Sequence, residues 1–143
     1  MTQLLYELVR DVMTPNPIML LESATVQSAA LAMREADVGD VVVMNGEHVS
    51  GILTDRDIVV RFVADAADPA RSPIGEICSP AVTYVNTDDP LDAAIELMRD
   101  NAIRRLVVMN RGRPVGMVTL GDLALARDPQ SVLADISAAP PNT

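Results

Sequence analysis

The sequence predicts a mixed α/β chain of the α+β kind, built from two β-α-β-β-α repeats packed about a pseudo-two-fold axis. Three observations carry that expectation. Residues 77–127 match residues 12–62 at a constant offset of 65 with no gap. Each copy holds short β-branched runs separated by segments whose apolar residues recur at helical spacing. The unit occurs only twice, whereas an open solenoid needs about three or more repeats to bury a continuous core. Two copies therefore point to a closed pair of subdomains.

The match is specific. Val12-Met13-Thr14-Pro15 meets Ile77-Cys78-Ser79-Pro80, and Val42-Val43-Met44-Asn45 meets Val107-Val108-Met109-Asn110. The run from Gly51 through Thr54 to Asp57 meets that from Gly116 through Thr119 to Asp122. Each copy opens on an extended stretch, residues 18–21 and 82–85, kept out of helix by Pro15 and Pro17 or by Pro80. A helix follows. Val26, Ala29, Ala30 and Met33 form one apolar stripe, matched by Leu91, Ala94, Ile95 and Met98. Ser23 or Thr25 in one copy, and Asp88 or Asp89 ahead of Pro90 in the other, supply cap chemistry.

Residues 41–44 and 106–109 are continuous apolar runs, the pattern of a strand covered on both faces. Asn45-Gly46 predicts a hairpin into residues 48–54, and residues 110–112 play the same part before residues 113–119. A second helix is expected over 55–66 and over 120–127. Residues 1–66 thus read as a leading helix (1–11) plus the first repeat, 67–73 as linker, 74–127 as the second repeat and 128–143 as a tail.

Composition limits the function. With 143 residues, 49% of them apolar, the chain can bury a core, but with one Phe, two Tyr and no Trp that core is aliphatic. No apolar run nears the roughly 18 residues of a membrane span and no signal pattern opens the chain, so a cytoplasmic protein is expected. Cys78 is the single cysteine, which excludes an intrachain disulfide. A net charge of −9 argues against nucleic acid as partner. There is no lysine, so neither Schiff-base chemistry nor a P-loop is available. Five of the eleven arginines (Arg99, Arg104, Arg105, Arg111, Arg113) crowd one stretch of the second copy, a setting for a small anion.

The sharpest local signal is Gly-Ile-Leu-Thr-Asp-Arg-Asp (51–57) against Gly-Met-Val-Thr-Leu-Gly-Asp (116–122). Each puts a threonine at a strand end and an aspartate three residues on, in the first turn of a helix. Free backbone N–H groups there favour an anion. The hydroxyl can bond a phosphate, and the carboxylate can take neighbouring ribose hydroxyls. The same pattern is also an ordinary capping box.

With the repeat order, the opening Val-Met-Thr-Pro and the Gly-h-h-Thr-x-x-Asp junction (h, apolar), residues 8–127 resemble a tandem pair of CBS domains, a Bateman module. The resemblance implies two clefts between the repeats and a regulatory role, with adenosine ligands such as AMP, ADP, ATP or S-adenosylmethionine and no required cofactor. It implies that Thr54 and Asp57 share a cleft with Ser79, Pro80, Ala81, Ile103, Arg104 and Arg105. Thr119 and Asp122 would share the other, weaker one with Thr14, Met19, Val38 and Asp40. The clefts are then unlike. Two guanidiniums face a phosphate in the first, whereas Asp40 would repel it in the second by ~4 kcal/mol at ~4 Å and a surface-like dielectric.

Other signals point nowhere in particular. His48 is the only histidine, beside a turn, and a metal site needs about three or four ligands, so no metal is expected. Cys78 reads as small packing, and most methionines fall at repeat-matched core positions. No nucleophile with a base and no glycine-rich phosphate loop is present, so no enzyme is expected. The expected function is a nucleotide-binding sensor, homodimeric through its helices, acting on an effector protein that the sequence does not name. The alternative is a ligand-free homodimeric interaction module.

Overall fold

The computed structural model describes residues 8–80 and 83–140. In chain order the elements are α1 (Val9–Val12), β1 (Thr14–Pro15), β2 (Met19–Leu21), α2 (Val26–Ala36), β3 (Asp40–Asn45) and β4 (His48–Thr54). A helical segment follows, opening as α3 (Asp55–Asp57) and continuing through a π-turn (Ile58–Phe62) and a 3₁₀ turn (Val63–Asp65). Then come a 3₁₀ turn (Ile74–Glu76), β5 (Ser79–Pro80), β6 (Tyr84–Asn86), α4 (Leu91–Asn101), β7 (Arg105–Asn110), β8 (Arg113–Thr119), α5 (Leu120–Arg127) and α6 (Val132–Ala138). The mixed α+β class and the β-α-β-β-α order in both copies agree with the sequence reading.

The chain divides into two compact units: a central unit, Pro17–Val82, and a split unit, Met1–Asn16 with Thr83–Thr143. These units cut the chain at other places than the repeat does. In the central unit the sheet order is β2-β3-β4-β5, so the strand that opens the second repeat closes the sheet of the first. In the split unit the order is β1-β8-β7-β6, so the strand that opens the first repeat closes the sheet of the second. Strands β2 and β3, and β6 and β7, run parallel because α2 and α4 cross over between them. The remaining pairs are antiparallel hairpin neighbours or exchanged edges.

Local chemistry explains the elements. Thr25 caps α2, its hydroxyl oxygen accepting the Ser28 N–H at 3.1 Å. Helix α4 has Pro90 at its N-cap and no side-chain cap. Neither aspartate takes the expected capping role, because Asp89 accepts the Asn86 N–H at 2.9 Å to fix the preceding turn and Asp88 pairs with Arg10. Both helices end on a left-handed residue, Asp37 and Ala102. The hairpin loops are Gly46-Glu47 and Arg111-Gly112, and positive φ at Gly46 and at both Arg111 and Gly112 supplies the twist that two-residue hairpins need. The linker is fastened to the start of α2, where Val26 and Gln27 donate to the Ser72 and Pro69 carbonyls. Of the expected leading helix, residues 1–7 lie outside the described residues, and α1 is a single turn.

Each unit has its own aliphatic core. Val26, Ala29, Met33, Val41, Val43, Leu53, Phe62 and Ile74 fill the central one. Val9, Val85, Leu91, Ala94, Met98, Leu106, Val108, Val118 and Leu123 fill the other. The helix stripes are as expected except at Ala30, which is exposed. A side chain of one carbon gains little by burial, and Ala29 already holds the contact to the sheet.

Two glycines admit the exchanged edges. A Cβ on Gly51 would collide with the Ser79 carbonyl oxygen, and one on Gly116 would lie 2.9 Å from that of Thr14. Beside Gly51 sits Cys78, half-buried against the central core. Burial first, and then the carboxylates of Glu22 and Asp57, push its thiol above the ordinary value. The sulfur is therefore a thiol, not a thiolate, at neutral pH, which supports the packing role.

Two outcomes follow. Gly51→Ala is expected to cost about 3 kcal/mol, the upper end for overpacking, because a backbone carbonyl must yield. Gly112→Ala, with nothing within 4 Å, should cost only about 1 kcal/mol from its left-handed backbone; urea denaturation of both variants reads the difference. Alkylation of Cys78 by iodoacetamide should be slower in the folded chain than in the urea-unfolded one. Its rate should still be climbing at a pH where the unfolded thiol has levelled off, and equal pH profiles would contradict the buried setting.

Candidate functional site

In the central unit β4 ends at Thr54, whose extended backbone (φ −110°, ψ 162°) hands the chain directly into helix. The Thr54 hydroxyl oxygen accepts the Asp57 N–H at 3.0 Å, and Asp57 Oδ2 accepts the Thr54 N–H at 2.9 Å. This is a complete capping box. It uses one oxygen of each side chain and leaves two functions over. The Thr54 hydroxyl still has its proton to donate. Asp57 Oδ1 accepts the Ser79 hydroxyl at 3.2 Å and stands 3.7 Å from Nε of Arg61. Asp57 is the one charged residue classed as buried among the described residues, with 8% exposure.

Ser79 arrives there through the exchanged edge. The register sets Ser79 opposite Ile52 and Pro80 opposite Gly51, two and three residues back from Thr54. Thr54, Asp57, Ser79 and Pro80, read together from the sequence, thus share one unit. Ala81 lies outside the described residues. The opening residue of β3, Asp40, pairs across the ladder with Thr54 in this same unit. Met19 and Val38 are here too, both exposed.

The split unit repeats the pattern with different neighbours. Thr119 and Asp122 form the same capping box, at 3.2 and 2.9 Å. Thr14 stands opposite Met117 on the exchanged strand β1, the place that Ser79 has in the other copy. At the position equivalent to Arg61 the chain has Ala126. Asp122 and Ala126 line a pocket of 360 Å³ that Asp11 also lines, so this pocket has two carboxylates and no guanidinium in its wall. Arg105 pairs across the ladder with Thr119. Ile103 and Arg104 line a groove of 410 Å³ against Met98, Arg99 and Leu120.

Arg61 and the π-turn that carries it were not singled out from the sequence. An arginine on an exposed helical position gives no signal by itself. Its spacing of four from Asp57, with alanine at the equivalent place in the second copy, is the sign that could have found it.

The comparisons with known proteins agree with this architecture. The CBS domain family model matches residues 9–64 and 74–128. A CBS domain-containing protein of Bacillus subtilis, YhcV, is 36% identical over 117 residues, which cover 82% of this chain and 83% of that protein. Hypoxic response protein 1 of Mycobacterium tuberculosis is 33% identical over 80% of this chain and 81% of its own length. The crystal structure of Hypoxic Response Protein I, which has two coordinated zinc ions, superposes with a TM-score of 0.73 at 32% identity, over 82% of this chain and 96% of that one. Among the described residues here, no group of three His, Cys, Asp or Glu could hold a metal ion. A CBS domain protein of Pyrobaculum aerophilum complexed with AMP also superposes with a TM-score of 0.73, at 28% identity and over 92% of this chain and 99% of that one. A duplicated β-α-β-β-α unit, a Thr-x-x-Asp cap at both strand–helix junctions and a family match to each copy lead to one conclusion: the chain belongs to the CBS domain family and carries two CBS domains.

Proposed function

We propose that the chain is a regulatory module that binds an adenosine 5′-phosphate or a related adenosyl ligand, and that the Asp57 site is the principal one. The observation that carries this reading is the state of Asp57: a buried carboxylate whose Oδ2 is taken by the cap, while Oδ1, which accepts the Ser79 hydroxyl, has a further lone pair for another donor. A ribose hydroxyl donates to Oδ1, and the Thr54 hydroxyl donates to a phosphate oxygen. For the rest of this site the family resemblance implies Pro80, Ala81 and Ile103 as apolar wall for the base and Arg104 and Arg105 as balancing positive charge. The AMP complex of the P. aerophilum relative supports the ligand class.

The set Thr14, Met19, Val38, Asp40, Thr119 and Asp122 is the weaker site, empty or open to a less charged ligand such as an adenosyl group. Asp11, in the wall of the same pocket as Asp122, adds to the reason, since two carboxylates disfavour a phosphate. The module is not a catalyst but a cytoplasmic sensor whose ligand shifts an equilibrium between shapes or partners by its difference in affinity. Self-association as a homodimer fits the same chain: Val59, Val60 and Val63 project from the helical segment after Asp57 with 60%, 52% and 60% exposure.

A thermal-shift series with AMP, ADP, ATP, NAD and S-adenosylmethionine tests the ligand class. A ligand at 100 times its dissociation constant should add about 2.7 kcal/mol to stability. Absence of any shift would leave the interaction module as the better reading. Calorimetric titration of Asp57→Asn should show AMP affinity reduced by roughly 10- to 100-fold, as expected for one charge-assisted hydrogen bond. Asp122→Asn should change it little, and equal losses would reject the asymmetry between the copies.

A further inference from the structure

The two capping boxes are nearly superimposable in their distances, yet the free oxygen of each aspartate meets different company. Asp57 Oδ1 has a hydroxyl donor on one side and a guanidinium on the other. Its twin has Ala126 in place of the guanidinium. The backbone differs at the same place. Between Asp57 and Phe62 the central unit has a π-turn, with the Val63 N–H donating to the Ile58 carbonyl, whereas the split unit has the regular helix Leu120–Arg127. A π-turn gives up regular helical bonding and is met mostly at functional sites. Here the widened turn contains Arg61.

We infer that Arg61 is a positioning residue for the ligand: through its ion pair it holds the Asp57 carboxylate turned so that Oδ1 accepts a ribose hydroxyl. This inference rests on the ligand class proposed above and extends it to a residue outside the Thr-x-x-Asp motif. Two alternatives have different signatures. A surface ion pair worth little energy would leave binding alone. A direct phosphate contact would act on the phosphate and not on the sugar.

The burial of Asp57 favours the positioning role. Its Oδ2 is fixed by the Thr54 N–H, so rotation of the carboxyl is governed by what touches Oδ1. Ser79 alone supplies a single 3.2 Å bond from a neighbouring strand of two residues. The guanidinium adds a second, charged partner on Oδ1 and so fixes which way the carboxylate faces. Because Arg61 is half exposed while Asp57 is not, the arginine acts from the solvent side and can stay in place when a sugar approaches the remaining face.

The test is calorimetric titration of the full chain, wild type and Arg61→Ala, with AMP, 2′-deoxy-AMP and adenosine. The expected result is a loss of about tenfold for AMP and for adenosine in Arg61→Ala, with 2′-deoxy-AMP, already weak, almost unaffected. Arg61→Lys should recover part of the loss. Such coupling to the sugar hydroxyl is something a merely structural residue would not produce. Equal losses for AMP and 2′-deoxy-AMP, or a loss for AMP with adenosine unchanged, overturn the inference and leave the ligand class intact. No binding of AMP or adenosine to the wild type would overturn both.

Discussion

The close approach of two backbones at Gly51 and Gly116 is the constraint on which the rest of each unit depends. In the central unit the last hairpin strand presents an edge, and the strand that covers it, β5, belongs by sequence to the next repeat. Glycine lets the Ser79 carbonyl come to a distance that no side chain would tolerate. Once β5 is seated, its register fixes which residue faces the start of the helical segment, and that residue is Ser79. Sheet closure and the company of Asp57 are therefore one event. The same holds for Gly116, β1 and Thr14 in the split unit.

Exchange of edge strands also makes the two repeats mutually dependent in a way that duplication alone does not. A single repeat taken from the chain keeps its helix, its hairpin and most of its apolar core, yet leaves one edge of its sheet open. An open edge offers unpaired N–H and C=O groups to any other strand. Here each edge receives a two-residue strand ending in proline, Thr14–Pro15 or Ser79–Pro80. Proline cannot donate to a further neighbour, so it closes the ladder where the exchange ends.

Most of the framework was legible in the sequence because it is built from periodic or sterically strict signals. The helical stripes, the β-branched runs and the Gly-containing turns each report one local preference, and the copies confirm one another position by position. The Thr-x-x-Asp junctions were legible for the same reason. What was not legible depends on spacing across the fold. Nothing local to Asp88 or Asp89 says that a distant Arg10 and a nearby turn will claim them before the helix does. The membership of β1 and β5 in one sheet or the other is equally a matter of long-range pairing. Arg61 lies between these cases: its partner is close in the chain, but the π-turn that carries it has no residue signature.

The comparison of copies bears on how capping and recognition share one motif. A capping box is a stability device, worth about 1 kcal/mol wherever a strand runs straight into a helix. Both copies keep it intact, with the same donors, acceptors and nearly the same distances. Capping takes only Oδ2 and the acceptor side of the threonine hydroxyl, so Oδ1 and the hydroxyl proton lie outside its reach. The copies differ where the cap is indifferent: Asp55-Arg56 against Leu120-Gly121 inside the box, arginine against alanine one turn on, serine against threonine on the exchanged strand, and Asp11 in the wall of the pocket that Asp122 lines. The shared motif thus accounts for the shape of each junction. The residues around its spare oxygen account for the difference in charge between them.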